Sequence, residues 1–425
     1  MDVQGLVIAT MSNTASPDPT SSAPLHPTSL DGTIETVHPT SPVETVETVE
    51  TVETVEEFGA RASDWLDRHR HTAPPDYGAI CPPDLIERGR QWQQLLFAEG
   101  FAGIDWPLEF GGLGLTPNHR GAWVRACALA GVPPFLNMVG TVLAGGSTML
   151  FGTQEQKAEH LRPILAADHT WCQLFSEPGA GSDLASLSTR AELDGEEWVV
   201  TGQKVWCSGG RYSDRGILLA RTDQNASKHK GISFFLFDMT KPGIDVRPLR
   251  QMTGEAEFDE VFLDEVRIPA ASLLGPLHGG WNVAMATLTN ERGSIGSAAI
   301  SLSRRRDRLA ETLRREAGHD VDGATRDALV QILARGRVLA MLGARQGPVA
   351  STAASLGKLG ITELMFASAE ARTSLAGADA MLQDNEAARS LIAAPGARIA
   401  GGSSQIQRNL IGERLLGLPA EPRPS

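Results

Sequence analysis

Apolar positions recur at two different spacings along this chain, and the change from one spacing to the other divides it. From Val55 the spacing is helical: Phe58, Ala62, Trp65 and Leu66 fall on one face. Leu95, Leu96 and Phe97 belong to a second helix starting near Pro83. After the turn-rich stretch 105–117, more helices are predicted over 122–129 and 141–151, with Pro163 in another short helical segment. Near Thr170 the pattern changes. Segments 197–200, 216–220, 232–238 and 260–263 are short and rich in β-branched or aromatic residues, and turn pairs such as Asp194-Gly195 and Pro242-Gly243 separate them. After Gly280 the helical period returns, with Met285, Leu288, Ile295, Ala299 and Leu302 on one face, and it continues to about Arg414.

The order helices, strands, helices predicts an α+β protein: an N-terminal helical domain (55–169), a middle antiparallel β domain (170–280) and a C-terminal helical bundle (281–416). A doubly wound sheet would alternate the two element types. Residues 1–54 read as a disordered low-complexity tail, Ser/Thr/Pro-rich and then a Val-Glu-Thr repeat that offers no face to bury, and 417–425 read as a second tail.

A length of 425 residues allows two or three domains. The net charge of −13 argues against nucleic acid as the main partner. Cys81, Cys127, Cys172 and Cys207 lie far apart with no Cys-x-x-Cys spacing, so neither disulfides nor a metal site is expected and a reducing cytoplasm fits. No apolar run is long enough to cross a bilayer, and the N-terminal stretch is too acidic and Arg-poor for an import signal.

The Walker, dinucleotide-fingerprint, zinc-protease and hydrolase-elbow patterns are all missing. Two other segments stand out. In Phe175-Ser176-Glu177-Pro178-Gly179-Ala180-Gly181-Ser182-Asp183, glycines bracket a small residue. The loop is open to two readings, a structural turn or a phosphate cradle. In Gly202-Gln203-Lys204-Val205-Trp206-Cys207-Ser208, a Trp beside a hydroxyl suits the face and edge of a flat aromatic cofactor, or a core position.

Together the two segments resemble the acyl-CoA dehydrogenase family, in an actinobacterial FadE-like branch. The likeness extends from about Val55 to Pro419. It takes in Trp106-Pro-x-x-Phe-Gly-Gly, Gly152-Thr-x-Glu-Gln-Lys, Arg250-Gln-Met-Thr-Gly and Gly402-Ser-Ser-Gln-Ile-Gln-Arg-Asn.

The resemblance implies FAD-dependent α,β-dehydrogenation of an acyl-CoA, with electrons passed to an electron-transfer flavoprotein. Gln173, Phe175, Ser176, Trp206 and Ser208 are the implied flavin contacts, and Ser182 lies by the CoA phosphates. A dimer or tetramer is implied, with an unlike subunit in some relatives. In many members the catalytic base stands where this chain has Gly401, which has no side chain and offers only its amide. A smaller branch places the base directly before an Arg on the first helix after the β domain. Glu291-Arg292 occupies that position here, which makes Glu291 the expected base and Arg292 a substrate contact. The family's R-x-x-F-G segment is not recognisable between 301 and 347, and Q-x-x-G-G-x-G has become Thr373-Ser-Leu-Ala-Gly-Ala-Asp. Two other readings therefore stand beside the first: an oxygen-using flavin oxidase or monooxygenase, and a non-catalytic subunit that completes a partner's site.

Overall fold

The computed structural model describes residues 53–77, 80–136, 138–293, 322–343, 350–382 and 384–420. For residues 289–293 only the helical backbone is described. Most of the N-terminal tail (through residue 52), the segment after residue 420, and Ile295, Ala299 and Leu302 lie outside the described residues.

Helix α1 (Val55–His69) begins with a reciprocal cap. The Glu57 N–H donates to Thr54 Oγ1 at 3.2 Å and the Thr54 N–H to Glu57 Oε2 at 2.9 Å. It packs with α2 (Ile86–Ala98) and α3 (Pro117–Ala130) around Phe58, Trp65, Trp92, Phe101 and Trp123. The predicted face of α1 is the buried one. The chain then runs through α4 (Gly145–Phe151) into α5 (Gln154–Leu165). The Gln156 amide on α5 donates to the Ala271 and Leu273 carbonyls at 2.7 and 2.9 Å, which ties the helical part to the strands.

The middle region contains β1 (Trp171–Leu174), β2 (Arg190–Asp194), β3 (Glu197–Ser208), β4 (Arg215–Arg221), β5 (Ile232–Asp238), β6 (Ile244–Leu249), β7 (Phe258–Pro269) and β8 (Leu273–Leu274). Their order is β6-β7-β3-β2-β4-β5-β8, with β1 beside β4. Most pairs are antiparallel, but β1 runs parallel to β4, and β2 meets β4 in parallel at Arg190. The sheet is mixed where the sequence pattern predicts a purely antiparallel one. A parallel neighbour needs a long connection, and residues 175–214 supply it. Strands β3 and β7 are also longer than their apolar runs, because bulges interrupt the alternation without ending the ladder.

Both faces of β1 are apolar. Trp171 and Phe175 join Leu143, Leu161, Phe234 and Val283 on the helical side, while Cys172 and Leu174 join Trp198, Val200, Phe235 and Val261 on the other. All four cysteines are free and buried. Helix α6 (Gly280–Gly293) lies on the helical side, where a Cβ on Gly280 would meet the Ser233 carbonyl carbon at 2.4 Å. Only glycine lets the start of the helix come this close to β5. Next come α7 (Gly323–Gly343) and α8 (Ala350–Ala376), joined through Ile332, Leu364 and Ala371, then α9 (Glu386–Ile399) and α10 (Ser404–Leu410). Among the described residues no helix is long and apolar enough to cross a membrane, and no group of His, Cys, Asp or Glu could hold a metal ion.

Candidate active site

The loop after β1 is a built turn. Glu177 and Ala180 exchange both backbone hydrogen bonds at 3.0 Å. The Glu177 side chain points inward, where it accepts from the Ser188 N–H (2.7 Å), the Ser188 hydroxyl (2.8 Å) and the Thr189 N–H (2.9 Å). Lys204, fully buried on β3, donates to Glu177 Oε1 at 2.8 Å and to the Phe175 carbonyl at 3.1 Å. Burial works against the Glu177 charge, but the Lys204 ammonium and the donors from Ser188 and Thr189 outweigh it and hold the carboxyl at about 2. Burial works on Lys204 in the opposite sense, lowering its value against the pull of the Glu177 charge, within this buried pair. The pair joins the two motifs, and the Val205 N–H reinforces the joint by donating to the Ser176 carbonyl at 2.9 Å.

Two residues beyond Lys204 the strand bulges. Lys204 pairs with Val261 and Cys207 with Asp259, so Val205 and Trp206 together oppose one residue of β7. Trp206 takes up the extra residue at φ +62°, a left-handed conformation unusual for so bulky a side chain. Cys207 returns to the core while the Trp206 ring stays 55% exposed, set edge-on to Phe258 at 5.7 Å. The turn after Ser208 is fastened from below by buried Asp259, which accepts from the Arg211 N–H at 3.0 Å and pairs with its guanidinium. Backbone strain in so fixed a setting is a mark of functional sites.

Gln173, Ser176 and Ser208 are each half-buried, and among the described residues the Gln173 amide and the two hydroxyls make no hydrogen bond. Phe175 differs from its neighbours: its ring is in the core against Phe234 at 5.7 Å, so only its backbone faces the loop. Ser182 is exposed, next to an Asp183–Lys228 ion pair of 2.5 Å.

Glu291 and Arg292 occupy the last turn of α6, and their side chains lie outside the described residues. One turn earlier, Thr287 is fully buried and Leu288 packs against the helical-side core, so there this face of the helix is turned into the protein. Gly401 and Gly402 form the link between α9 and α10, both left-handed at φ +64° and +94°. Among the described residues, neither glycine's N–H has a partner. The Gly401 carbonyl accepts from the Gln407 amide at 3.3 Å and the Gly402 carbonyl from Lys358 at 2.6 Å. Thr373, the start of the altered adenine-end segment, spends its hydroxyl on the Ala369 carbonyl at 2.8 Å.

Three residues of this arrangement are not legible as functional in the sequence: Glu177 in its structural role, Lys204 and Lys358. Each is a charged residue in a stretch that reads as turn, strand or helix surface. For Glu177 and Lys204 the available signal is their place inside the two motifs; Lys358 lies in neither.

This architecture has close counterparts. Residues 53–168, 172–266 and 278–416 match the N-terminal, middle and C-terminal domains of acyl-CoA dehydrogenase, respectively. The chain is 39% identical over 352 residues to acyl-CoA dehydrogenase IpdE1 of Mycobacterium tuberculosis, covering 80% of this chain and 90% of that protein. It is similar to the solved Tcur3481–Tcur3483 steroid ACAD, with a TM-score of 0.72, 25% identity, and coverage of 86% of this chain and 98% of that one. The ChsE4–ChsE5 complex from Mycobacterium tuberculosis gives the same TM-score of 0.72 at 25% identity, covering 88% of this chain and 100% of that one. The chain belongs to the acyl-CoA dehydrogenase family and is an oxidoreductase; the family is built on flavin.

Proposed function

We propose that this chain is an FAD-dependent acyl-CoA dehydrogenase that passes its electrons to an electron-transfer flavoprotein. The observation that carries the reading is the set of unpartnered polar groups, Gln173, Ser176 and Ser208, around an exposed tryptophan held in a left-handed bulge. Half-buried donors and acceptors without protein partners are free to bond the polar atoms of a ligand. These groups fit the polar edge of a flavin and Trp206 fits its apolar face. The bound flavin supplies the two-electron acceptor for the β-hydrogen.

The chain's own residues do the rest. Glu291 removes the α-proton as general base. The Gly401 N–H, unpaired and directed by a pinned turn, donates to the thioester oxygen as charge builds there. Arg292 and Ser182 contact the CoA thioester and its phosphates. Gly293 and Ser294 beside the base are small, and one similar solved structure is a steroid ACAD. Both favour a bulky or branched acyl group, and a cytoplasmic site of action is consistent with the free cysteines.

The test is the absorbance spectrum of the purified full-length chain, followed by anaerobic addition of straight, branched and steroid side-chain acyl-CoAs. Flavin absorbance bleached by one of them supports the proposal. A colourless chain that restores activity when mixed with an unlike subunit supports a half-site role instead. That second reading rests on the altered segment at Thr373 and on two similar solved structures whose names join two proteins. Fast reoxidation by air rather than by electron-transfer flavoprotein would point to an oxidase.

Trp206→Gly separates strain from ring contact. Glycine relieves a cost of about 1 kcal/mol at positive φ, so the flavin-free chain keeps or raises its melting temperature. Loss of the ring weakens flavin binding about tenfold, read by flavin titration.

A further inference from the structure

We propose that Lys358 is a positioning residue: it aims the amide that receives the thioester oxygen. Lys358 lies on α8 and is 8% exposed. Its ammonium donates to the Gly402 carbonyl at 2.6 Å and reaches the Arg398 carbonyl at 3.4 Å. Among the described residues no carboxylate pairs with it. A buried cation whose hydrogen bonds all go to backbone carbonyls is an expensive way to hold a turn. The turn it holds is the one between α9 and α10.

The geometry shows what that expense achieves. Arg398 is in the last turn of α9, where the carbonyls lack helical partners and carry the negative end of the helix dipole. Lys358 neutralises that end. It also fixes the carbonyl four residues on, at Gly402, while buried Gln407 fixes the Gly401 carbonyl from the other side. With both carbonyls drawn into the protein, the two glycines take left-handed conformations and their N–H groups are left unpaired. A methyl at Gly402 would meet Gln407 Nε2 at 2.7 Å, so the turn has little room to relax. A positive charge beneath this turn also favours the negative charge that develops on an oxygen bound there.

The proposal rests on the reading that the Gly401 N–H binds the thioester oxygen. Its test therefore uses two probes on the flavin-loaded full-length chain, followed by isothermal titration calorimetry. One probe is the trans-2-enoyl-CoA matching the acyl-CoA that bleaches the flavin fastest. The other is the same molecule with its thioester carbonyl replaced by a methylene. Wild type is expected to bind the first about tenfold tighter than the second. Lys358→Met removes that preference, leaving affinity for the carbonyl-free probe within about threefold, and amide hydrogen exchange across residues 399–404 speeds up. Lys358→Arg, which keeps a cation, restores part of the preference, and it stands in if the methionine variant does not fold. A purely structural role would weaken both probes alike. If the variants keep the full preference, the Lys358 proposal is overturned and the Gly401 reading stands. If wild type shows no preference, the Gly401 reading falls and the proposal falls with it.

Discussion

Replacing Glu291 with glutamine is expected to slow flavin bleaching by the best acyl-CoA about a thousandfold, with flavin content and thioester affinity close to wild type. Glutamine matches the size of glutamate but cannot accept a proton at working pH, so the loss falls on the chemical step. Two observations converge on this residue. The family resemblance implies a base at the position where this chain has Gly401, and a glycine amide can donate but has no carboxylate to accept the α-proton. One turn before Glu291, α6 faces the protein interior, with Thr287 fully buried. Anaerobic stopped-flow measurement of the bleaching rate against acyl-CoA concentration separates rate from affinity. A variant that bleaches as fast as wild type shows that the proton goes elsewhere.

The second large effect concerns stability. Lys204→Met is expected to cost about 3–5 kcal/mol, because it leaves the Glu177 charge buried without its cation. Glu177→Gln is more informative about pH. The wild-type carboxyl is held at about 2 against an ordinary value of 4.5. A group whose folded value is depressed stabilises the protein above the unfolded value and loses that contribution as pH falls through the folded one. Here the window runs from about pH 4.5 down to about pH 2, and the shift corresponds to about 3 kcal/mol. Urea unfolding at pH 5 and pH 3 is expected to show a smaller loss for Glu177→Gln than for wild type. Equal losses would mean that another carboxylate governs acid unfolding. The pair also joins the two segments proposed to hold the flavin, so Lys204→Met is expected to lose flavin before it unfolds.

The helical domain was legible in advance because its signal is local. Phe58, Ala62, Trp65 and Leu66 repeat at helical spacing, and all four are buried on one face. The β domain was legible as strands but not as a mixed sheet. Whether β1 lies parallel or antiparallel to β4 depends on the route of the chain between them, which no four-residue pattern records. The site divided in the same way. Gln173, Ser176, Trp206 and Ser208 could be picked out by resemblance, and the structure leaves three of them half-buried and unpaired and the fourth exposed. That Trp206 is left-handed could not be read, since only glycine or asparagine signals such a backbone and here the β7 register imposes it. Lys204 and Lys358 were missed for a related reason. A lysine in a strand or helix reads as solvated, and only the fold shows that these two are buried with backbone carbonyls for partners.

The distribution of tryptophans has an optical consequence. Six of the eight, at 65, 92, 106, 123, 171 and 198, are exposed by 6% or less, and Trp281 is half-covered beside His229. Only Trp206 among the described residues presents most of its indole to solvent. An aqueous collisional quencher such as iodide therefore reaches chiefly one emitter, the one at the lip of the proposed flavin site. The fluorescence of the chain thus carries its own occupancy label, in which the quenchable fraction reports on the bulge and the remainder on the folded core.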